Sequence, residues 1–381
     1  RANPFCSPSL HPMNSLRFPS HALRWFQAAL LGVALAAQSL AAASAASLTV
    51  RPDHPALLYS GRIEMDKTTQ ATLAWSGARV RMRFQGKSVA MRMTDDTREN
   101  CVVVRIDGVR QAKLRLDAAD GLYTLASDLA PGEHTVEVVR VTEAMLGQPR
   151  FHGFILAADG AVLPWGREPD RRILFVGDSI TCGYGVEVDD PNLPFTAATE
   201  NFCDSYTGLT VEALQADYCV VSRSGIGMVR NYDGPFDGSP DAMPAIYPRL
   251  FFQSETPRWD ATRFVPQVIC INLGTNDFST AGVNVDRYVA AYREFAAGLL
   301  TQYPDARLVL LQGPMNNSDA LRDALRRVEA ALSEKFAGRV SFLELTAQGK
   351  LGFGASYHPS RAQSRLNATE LTAYLSKLMG W

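Results

Sequence analysis

The sequence predicts an antiparallel β-sandwich followed by a three-layer α/β/α domain, because the residue pattern changes once along the 381-residue chain. Before about residue 156, short segments alternate apolar and polar residues, and turn clusters such as "DAADG" and "APGEH" separate them. This alternation is typical of half-buried antiparallel strands. After about residue 171, continuous apolar segments alternate with helix-length segments. That pattern is typical of a parallel sheet with helices on both faces.

The first half contains the alternating segments "ARVRMRF", "VAMRM", "CVVVRIDG", "AKLRLD" and "HTVEVVRV". Apolar residues occupy every second position, so one face of each strand is buried, and we expect the charged residues to lie on a solvated face. No segment of this half has a convincing helical pattern. We therefore predict a sandwich domain over residues 47–158, and the segment "AADGAVLPWGREPD" predicts a linker after it.

The second half, residues 170–381, predicts a five-stranded parallel sheet and its covering helices. The predicted strands are Ile173–Val176, Tyr218–Val221, Val268–Asn272, Leu308–Leu311 and Val340–Leu343. The predicted helices are Asp204–Gln215, Asp286–Gln302, Ser318–Phe336 and Arg361–Met379. In "SDALRDALRRVEAALSEKF", leucine and alanine recur at helical spacing, and Ser318 is a suitable N-cap.

The amino end predicts a leader and a secretory signal peptide over residues 1–46. A cationic stretch precedes the apolar run in "WFQAALLGVALAAQSLAAASAAS", and small residues follow, which is the order of regions in a signal peptide. A membrane anchor is the alternative, but the apolar run Trp25–Leu40 is short for a span of about 20 residues. We expect cleavage near Ala45 or Ala46, a secreted or periplasmic location, and no membrane association after cleavage.

The composition excludes several classes of protein. A net charge of -1 shows no basic surplus, so we expect no nucleic-acid partner. No Cys-x-x-Cys or His-x-x-x-His pattern occurs, so neither a metal site nor a cofactor is predicted. The cysteines beyond residue 46 are odd in number, so at least one stays free. Their spacing leaves a Cys182–Cys203 disulfide open, and the sequence leaves the oligomeric state open.

Candidate catalytic residues follow the predicted strands of the parallel sheet. The segment "RRILFVGDSITCGYG" places Ser179 directly after the first strand, "VVSRSGIG" places Gly225 after the second, and "VICINLGTNDF" places Asn276 after the third. His358 lies just before the last predicted helix. Because the carboxyl ends of parallel strands meet at one edge, we expect these residues to lie close together. The alternative for Asp178 or Ser179 alone is a helix cap.

These residue types suit nucleophilic attack on an ester. A serine hydroxyl needs a base within hydrogen-bonding reach, and His358 is the only histidine after residue 152. Pro359 keeps the chain extended at His358. The negative charge that develops on the carbonyl oxygen requires preorganised donors. We expect three of them: the backbone N–H groups of Ser179 and Gly225, and the side-chain amide of Asn276.

The motifs "GDSIT", the glycine of "SRSG", "GTND" and "HPS" resemble the four blocks of the SGNH (GDSL-type) hydrolases. The longer segments "GDSITCGYG", "PFTAATEN", "SGIGMVRNYDG", "WDATRFVPQVICINLGTNDF" and "YHPS" resemble carbohydrate esterase family 2. This resemblance implies a small jelly-roll domain before the hydrolase domain. It implies removal of acetyl groups from xylan, mannan or glucomannan through an acetyl-serine. It also implies Ser179 as nucleophile, His358 as base, and Gly225 with Asn276 in the oxyanion hole.

The chain departs from the wider superfamily beside His358. Members usually carry an aspartate two or three residues before the histidine, and those positions here are Ser356 and Ala355. We therefore predict a Ser–His dyad. The partner of the second ring nitrogen is left open between a backbone carbonyl, the Ser356 hydroxyl and a distant aspartate.

Residues near these motifs predict contacts with a sugar substrate. The aromatic candidates for stacking on a pyranose ring are Tyr184, Tyr232, Trp259 and Tyr357. The polar candidates for binding its hydroxyls are Arg230, Asn231 and Asp277. Core packing is the alternative for the aromatics, and bracing of loops is the alternative for Asp277 and Asp178. Two other functions remain open: a lipase or thioesterase on the same scaffold, and a carbohydrate-binding protein without activity.

Overall fold

The structure is a computed structural model that describes residues 47–66, 69–166, 169–280 and 282–381. The predicted leader and signal peptide, residues 1–46, lie outside the described residues. Leu48–Trp381 form one compact unit. None of the helices in the described ranges combines the length and the apolar character needed to cross a bilayer.

The first half consists of short strands, as the alternating pattern predicts. In chain order they are β1 (Leu48–Val50), β2 (Leu58–Ser60), β3 (Ile63–Asp66), β4 (Gln70–Leu73), β5 (Arg79–Gln85), β6 (Val89–Thr94), β7 (Cys101–Ile106), β8 (Val109–Arg110), β9 (Leu114–Arg115), β10 (Leu122–Ala126), β11 (Glu133–Arg140), β12 (Arg150–Leu156) and β13 (Ala161–Leu163). A single 3₁₀ turn at Ala144–Leu146 interrupts the described part of this half.

These strands form two antiparallel sheets, which confirms the predicted sandwich. One sheet has the order β10-β6-β12-β4-β3, with β1 added beside β12. The other has the order β13-β5-β11-β7-β8, with β2 beside β5 and β9 beside β7. Side chains from both sheets, such as Met91 and Phe154 from one and Val80 and Val136 from the other, form a single buried core. Strand β13 pairs with β5, so this part of the predicted linker is a strand of the sandwich. The exact domain boundaries at residues 158 and 170 stay a prediction.

The second sheet of the sandwich also packs against the other half of the chain. Along β7, Val102 and Val104 belong to the sandwich core, whereas Cys101 and Val103 belong to a core shared with the parallel sheet. Successive side chains on a strand point to opposite faces. One face of this sheet therefore lines the sandwich, and the opposite face is covered by the α/β half.

The expectation that the charged residues of the alternating strands face solvent is wrong for this sheet. Arg79 is only 8% exposed, and its guanidinium contacts Glu137 at 3.0 Å and Asp217 at 3.2 Å. Arg105 joins Glu137 to Glu212 of the second half. Alternation reports that one face of a strand is apolar, but it does not report whether the polar face meets water or another layer of the protein.

The second half contains the predicted five-stranded parallel sheet. Its strands are β14 (Arg172–Gly177), β15 (Asp217–Ser222), β16 (Val268–Asn272), β17 (Arg307–Gln312) and β18 (Val340–Glu344). Their order is β15-β14-β16-β17-β18, and every pairing is parallel. The α-helices are α1 (Ser179–Cys182), α2 (Tyr206–Ala213), α3 (Met243–Ile246), α4 (Val285–Gln302), α5 (Asp319–Lys335) and α6 (Arg361–Met379).

The helices cover the two faces of the parallel sheet, as a three-layer domain requires. Residues of α4 and α5 share one buried core with alternate strand residues, and residues of α2 and α6 share the other. The predicted helix at Asp204–Gln215 begins later, because a 3₁₀ turn at Phe202–Asp204 precedes it and Ser205 caps the backbone N–H of Gly208 at 3.1 Å. The first three strands of the sheet end side by side, which brings Ser179, Gly225 and Asn276 to one edge.

All five cysteines of the described residues are free and buried. Cys182 and Cys203 therefore do not form a disulfide in the structure. The Cys182 thiol instead lies 3.2 Å from the Ser222 hydroxyl.

Candidate active site

Ser179 lies where β14 ends and the one-turn helix α1 begins. The Asp178 side chain caps this helix by accepting a hydrogen bond from the Ile180 backbone N–H at 3.0 Å. Burial raises the pKa of Asp178 to about 7. The capping role therefore belongs to Asp178, which leaves the Ser179 hydroxyl free to face the cleft.

The Ser179 hydroxyl and the His358 imidazole are in direct contact, with Oγ and Nε2 2.8 Å apart. On the other side of the ring, Nδ1 lies 3.1 Å from the Ser356 carbonyl and 3.2 Å from the Ala355 carbonyl. Two carbonyls can only accept, so Nδ1 carries the hydrogen and Nε2 is the acceptor of the serine proton. In the part of the chain that the structure describes, no carboxylate bonds to this ring.

The loop before His358 has an unusual backbone that supplies these carbonyls. Ser356 and Tyr357 both have left-handed conformations, with φ of 50° and 59°. The loop packs against the "GYG" turn, where the Ala355 N–H donates to the Gly185 carbonyl at 3.0 Å. A Cβ at Gly185 would lie 2.5 Å from the Ala355 Cβ, so only glycine permits this approach.

Tyr184 does not have a free face for a sugar, which corrects its predicted role in stacking. Its ring stacks on His358 with centroids 3.9 Å apart and on Phe195 with centroids 4.5 Å apart. Tyr184 therefore lines the cleft as a support for the imidazole. Burial lowers the pKa of His358 to about 4, although its two carbonyl partners favour the charged form. The imidazole is consequently neutral at neutral pH.

Gly225 and Asn276 lie on the same cleft as Ser179. Gly225 has a left-handed φ of 76°, and a Cβ there would meet only Tyr232 at 3.8 Å. Glycine is therefore required by the backbone conformation rather than by crowding. The Asn276 side-chain amide donates to the Ile226 carbonyl at 2.8 Å, and its nitrogen lies 3.4 Å from Asp178 Oδ2. The second contact is long, so it is the weaker of the two hydrogen bonds that the amide donates.

The residues converge on a cleft of about 610 Å³. The cleft is lined by Ser179, Tyr184, Ser224, Gly225, Tyr232, Thr275, Asn276, Ser279, Met315, Asn316, Ser356 and His358. Sequence reasoning missed Thr275, Ser279, Met315 and Asn316 as lining residues. The segment "GPMNNS" follows the fourth parallel strand, so its position at the carboxyl edge of the sheet was the signal that could have found Met315 and Asn316.

The three polar side chains predicted to bind a sugar brace loops in the structure, and two of them, Asp277 and Arg230, are too buried to reach a ligand. The Asp277 carboxylate is fully buried and accepts from the backbone N–H groups of residues 228, 229 and 230 at 2.7 to 2.9 Å. Arg230 is 1% exposed and donates to the Gly234 and Ser279 carbonyls. Asn231 accepts from the Gly227 N–H and donates to Asp241.

Two predicted aromatic contacts also lie outside the cleft lining. Trp259 packs against the large core, and the guanidinium groups of Arg62 and Arg263 lie over its ring at 5.5 Å and 4.8 Å. Tyr357 is 55% exposed and touches Phe353 edge to face. Tyr232, by contrast, lines the cleft and is 61% exposed, so its ring is open to a ligand.

Two family models match the chain. Residues 59–165 match the N-terminal domain of carbohydrate esterase 2, and residues 175–366 match the GDSL-like lipase/acylhydrolase family. The two matches correspond to the sandwich half and to the parallel-sheet half, and together they cover most of the described residues.

Curated relatives and solved structures point to the same family. The chain is 34% identical over 340 residues to the cellulase/esterase CelE of Acetivibrio thermocellus; the alignment covers 88% of this chain and 41% of that protein. It is 28% identical to an acetylxylan esterase / glucomannan deacetylase of Cellvibrio japonicus, over 87% of this chain and 92% of the relative. The chain thus spans less than half of the first relative and nearly all of the second.

A solved family two carbohydrate esterase from Clostridium thermocellum, in complex with cellohexaose, superimposes with a TM-score of 0.81 at 33% identity. The superposition covers 85% of this chain and 99% of that structure. The chain therefore belongs to carbohydrate esterase family 2, a family of carboxylic ester hydrolases.

Proposed function

We propose that this protein removes O-acetyl groups from polysaccharides such as xylan or glucomannan through an acetyl-serine intermediate. The observation that carries the proposal is the 2.8 Å contact between Ser179 Oγ and His358 Nε2 at the floor of an open cleft. The substrate class comes from the relatives named as acetylxylan esterase / glucomannan deacetylase.

In the first half of the reaction, Ser179 Oγ attacks the acetyl carbonyl carbon while its proton passes to His358 Nε2. The carbonyl oxygen becomes negative and accepts hydrogen bonds from the Ser179 and Gly225 backbone N–H groups and the Asn276 amide. When the tetrahedral intermediate collapses, the bond to the sugar oxygen breaks, and His358 returns the proton to that oxygen. The deacetylated sugar then departs, and the acetyl group remains bound to Ser179 Oγ.

In the second half, His358 takes a proton from water, whose oxygen attacks the acetyl-serine carbonyl carbon. The same three donors stabilise the oxyanion. As the proton returns from His358 to Ser179 Oγ, acetic acid is released, and it loses its remaining proton to water to become acetate. Throughout the cycle the carbonyls of Ala355 and Ser356 hold the Nδ1–H, and the stacked Tyr184 ring holds the imidazole plane. This arrangement supports a dyad that needs no carboxylate.

The cleft lining favours a sugar ester over a long acyl chain. Serine, threonine, asparagine, tyrosine and glycine dominate the lining, and Met315 is its single aliphatic side chain among the described residues. A long acyl chain is stabilised by burying its surface against aliphatic side chains, and one methionine offers little of that surface. The intact contact between Ser179 and His358 likewise favours catalysis over carbohydrate binding alone.

The proposal includes export of the mature protein, which the apolar run and small residues near Ala45 support. Amino-terminal sequencing of protein recovered from the periplasm or the medium of a bacterial host tests this. A new amino terminus near Ala46 is the expected result, and retention of residues 25–45 on exported protein contradicts it.

Activity should persist to unusually low pH, because burial keeps the pKa of His358 near 4 rather than near the ordinary 6.5. The base works in its neutral form, so kcat/KM for a small acetyl ester should stay high as pH falls through 6 and should decline only as pH approaches 4. The measurement is a pH profile of kcat/KM. The Asp178→Asn variant identifies any inflection near pH 7 that Asp178 causes. A single decline centred on pH 6.5 contradicts the burial of His358.

The Gly225→Ala variant should lower kcat, because its positive φ places the backbone N–H in the proposed oxyanion hole. Gly338, between α5 and β18, is a matched control: its φ is 73°, against 76° for Gly225, and a Cβ there meets nothing within 4 Å. Both substitutions should cost about 1 kcal/mol of stability. Only Gly225→Ala should also reduce kcat. Equal kcat values for Gly225→Ala and Gly338→Ala would contradict a role of the Gly225 N–H in the oxyanion hole.

The proposed function is tested by acetate release from acetylated xylan and acetylated glucomannan, beside aryl esters from acetate to octanoate. Release of acetate from either polysaccharide, with rates that fall as the acyl chain lengthens, is the expected result. Rates that rise from acetate to octanoate indicate a lipase or thioesterase. Absence of turnover on every ester, with retained binding to the polysaccharide, indicates a binding protein.

A further inference from the structure

A glutamate from the sandwich half reaches the active-site loop of the other half. Glu143 follows β11 and is 1% exposed. Its Oε2 accepts a hydrogen bond from the Ser224 backbone N–H at 2.8 Å, directly beside Gly225. Its own backbone N–H donates to Glu200 Oε2 at 2.9 Å. A side chain from the first half of the chain thus holds the backbone at Ser224, the residue directly before Gly225, whose N–H is the second proposed oxyanion donor.

Glu143 and Glu200 form a buried pair of carboxyl groups. One carboxyl oxygen of each and the Cys182 sulfur all lie within 4.8 Å of one another. In the described part of the chain, the Oε1 atoms of both glutamates have no hydrogen-bond partner. Buried acceptors without partners are costly. A proton on one of the two carboxyl groups leaves the buried pair with a single negative charge instead of two.

Electrostatics supports a shared proton. Burial raises the pKa of Glu143, and burial together with the charge of Glu143 raises the pKa of Glu200. Among the described residues, no cation forms a direct ion pair with either carboxyl group. Arg140 donates to main-chain carbonyls, including that of Glu143, Lys113 pairs with Glu187, and Arg223 lies 4.0 Å from Asp241.

We infer that Glu143 is a positioning residue of the esterase site: by sharing a proton with Glu200, it holds the Ser224–Gly225 backbone where the oxyanion needs its N–H. The inference rests on the proposed function. It assigns the sandwich a role in the reaction, because the parallel-sheet half alone lacks the acceptor that fixes this loop.

A divalent cation between Glu143, Glu200 and Cys182 is the competing explanation for the cluster. It requires two carboxylates and a thiolate, but burial raises the pKa of Cys182 well above its usual range. The Cys182 thiol also already contacts the Ser222 hydroxyl. The shared proton therefore accounts for the cluster with fewer ionised buried groups. The two explanations also differ in the expected effect of a glutamine substitution, which removes a carboxylate ligand from a metal site but preserves the net charge of a carboxyl pair that holds one proton.

The test compares Glu143→Gln, Glu200→Gln, the double glutamine variant and Glu143→Leu on a small acetyl ester. A single glutamine keeps the acceptor, donates an amide hydrogen to the remaining carboxylate, and preserves the pair's net charge. We expect kcat within about threefold of wild type for each single glutamine. Glu143→Leu should lower kcat roughly tenfold or more with little change in KM, which is less than deletion of an oxyanion donor costs. The double variant removes the shared charge and should be worse than the product of the single effects.

The matched control is Arg110→Ala, which breaks another contact between the halves. Arg110 pairs with Asp204 at 2.7 Å and does not touch the Ser224 loop. It should lower Tm without lowering kcat. Rates are divided by the fraction of sites that a serine-reactive phosphonate labels, so unfolded protein does not count.

Three results overturn the inference: wild-type kcat for Glu143→Leu, single glutamine variants as impaired as the leucine variant, or a stoichiometric metal that the purified protein retains and needs. The outcome is separable from the proposed function. Full activity of Ser179→Ala defeats the function itself. An inactive Ser179→Ala beside a fully active Glu143→Leu defeats only the inference about Glu143.

Discussion

The Ser179→Ala variant should release acetate at least about 1,000-fold more slowly than the wild type, because it removes the nucleophile of a unit whose members act together. The activity of His358→Ala should fall by a similar factor, since the Ser179 hydroxyl then lacks the base that lies 2.8 Å away. The double variant should be no slower than either single variant, because each one already stops the same step. Initial rates on acetylated xylan and on a small acetyl ester measure all three.

The same experiment includes controls for the effect of substitution and for correct folding. Ser333→Ala replaces a serine within helix α5, outside the cleft, and should keep the wild-type rate. Far-UV circular dichroism and Tm should match the wild type for the Ser179 variant. If folded Ser179→Ala keeps more than a tenth of the activity, another group performs the attack.

The Asn276→Ala variant should lose about 100-fold or more in kcat, with a much smaller change in KM. The amide hydrogen that is left with only a 3.4 Å contact in the free protein is the one that strengthens its bond when the carbonyl oxygen becomes negative. An interaction made mainly in the transition state lowers kcat rather than raising KM. Steady-state kinetics on one acetyl ester separates the two constants.

Asn192→Ala is the control for Asn276, since Asn192 is exposed and the amide of its side chain donates a hydrogen bond to Asp190. It should leave both constants unchanged. A raised KM with unchanged kcat for Asn276→Ala means that the amide binds the ground state and is not part of an oxyanion hole.

Most of the fold follows from the period of the apolar residues. The predicted strand Val268–Asn272 and the predicted helix Arg361–Met379 have the same bounds in the structure. Of the other four parallel strands, three extend one residue further at both ends and β18 extends one residue further at its carboxyl end. A fully buried strand is a continuous apolar run, so its limits are visible in the sequence. The buried charged face of the second sandwich sheet was not visible, because it depends on contacts with residues more than a hundred positions away, such as Asp217.

The site was predictable where topology alone brings residues together. Ser179, Gly225, Asn276 and His358 all line one cleft, as their positions at strand ends and before the last helix imply. The direction of the neighbouring side chains was not predictable. Asp277 follows Asn276 directly, yet its carboxylate turns inward to satisfy three backbone N–H groups.

The groups that orient the site come from places that a motif does not mark. The carbonyls that hold His358 belong to the backbone, whose conformation at Ser356 and Tyr357 is left-handed without a glycine to signal it. Glu143 comes from the other half of the chain, and nothing in "RVTEAMLG" indicates an active-site loop as its partner.

The most direct test of the account is mass spectrometry of the enzyme quenched during turnover of an excess of a reactive acetyl ester. We predict one added acetyl group per active site, located on the peptide that contains Ser179, and absent from Ser179→Ala. Turnover with no acetylated enzyme, or with the acetyl group on another residue, contradicts the role of Ser179 as nucleophile.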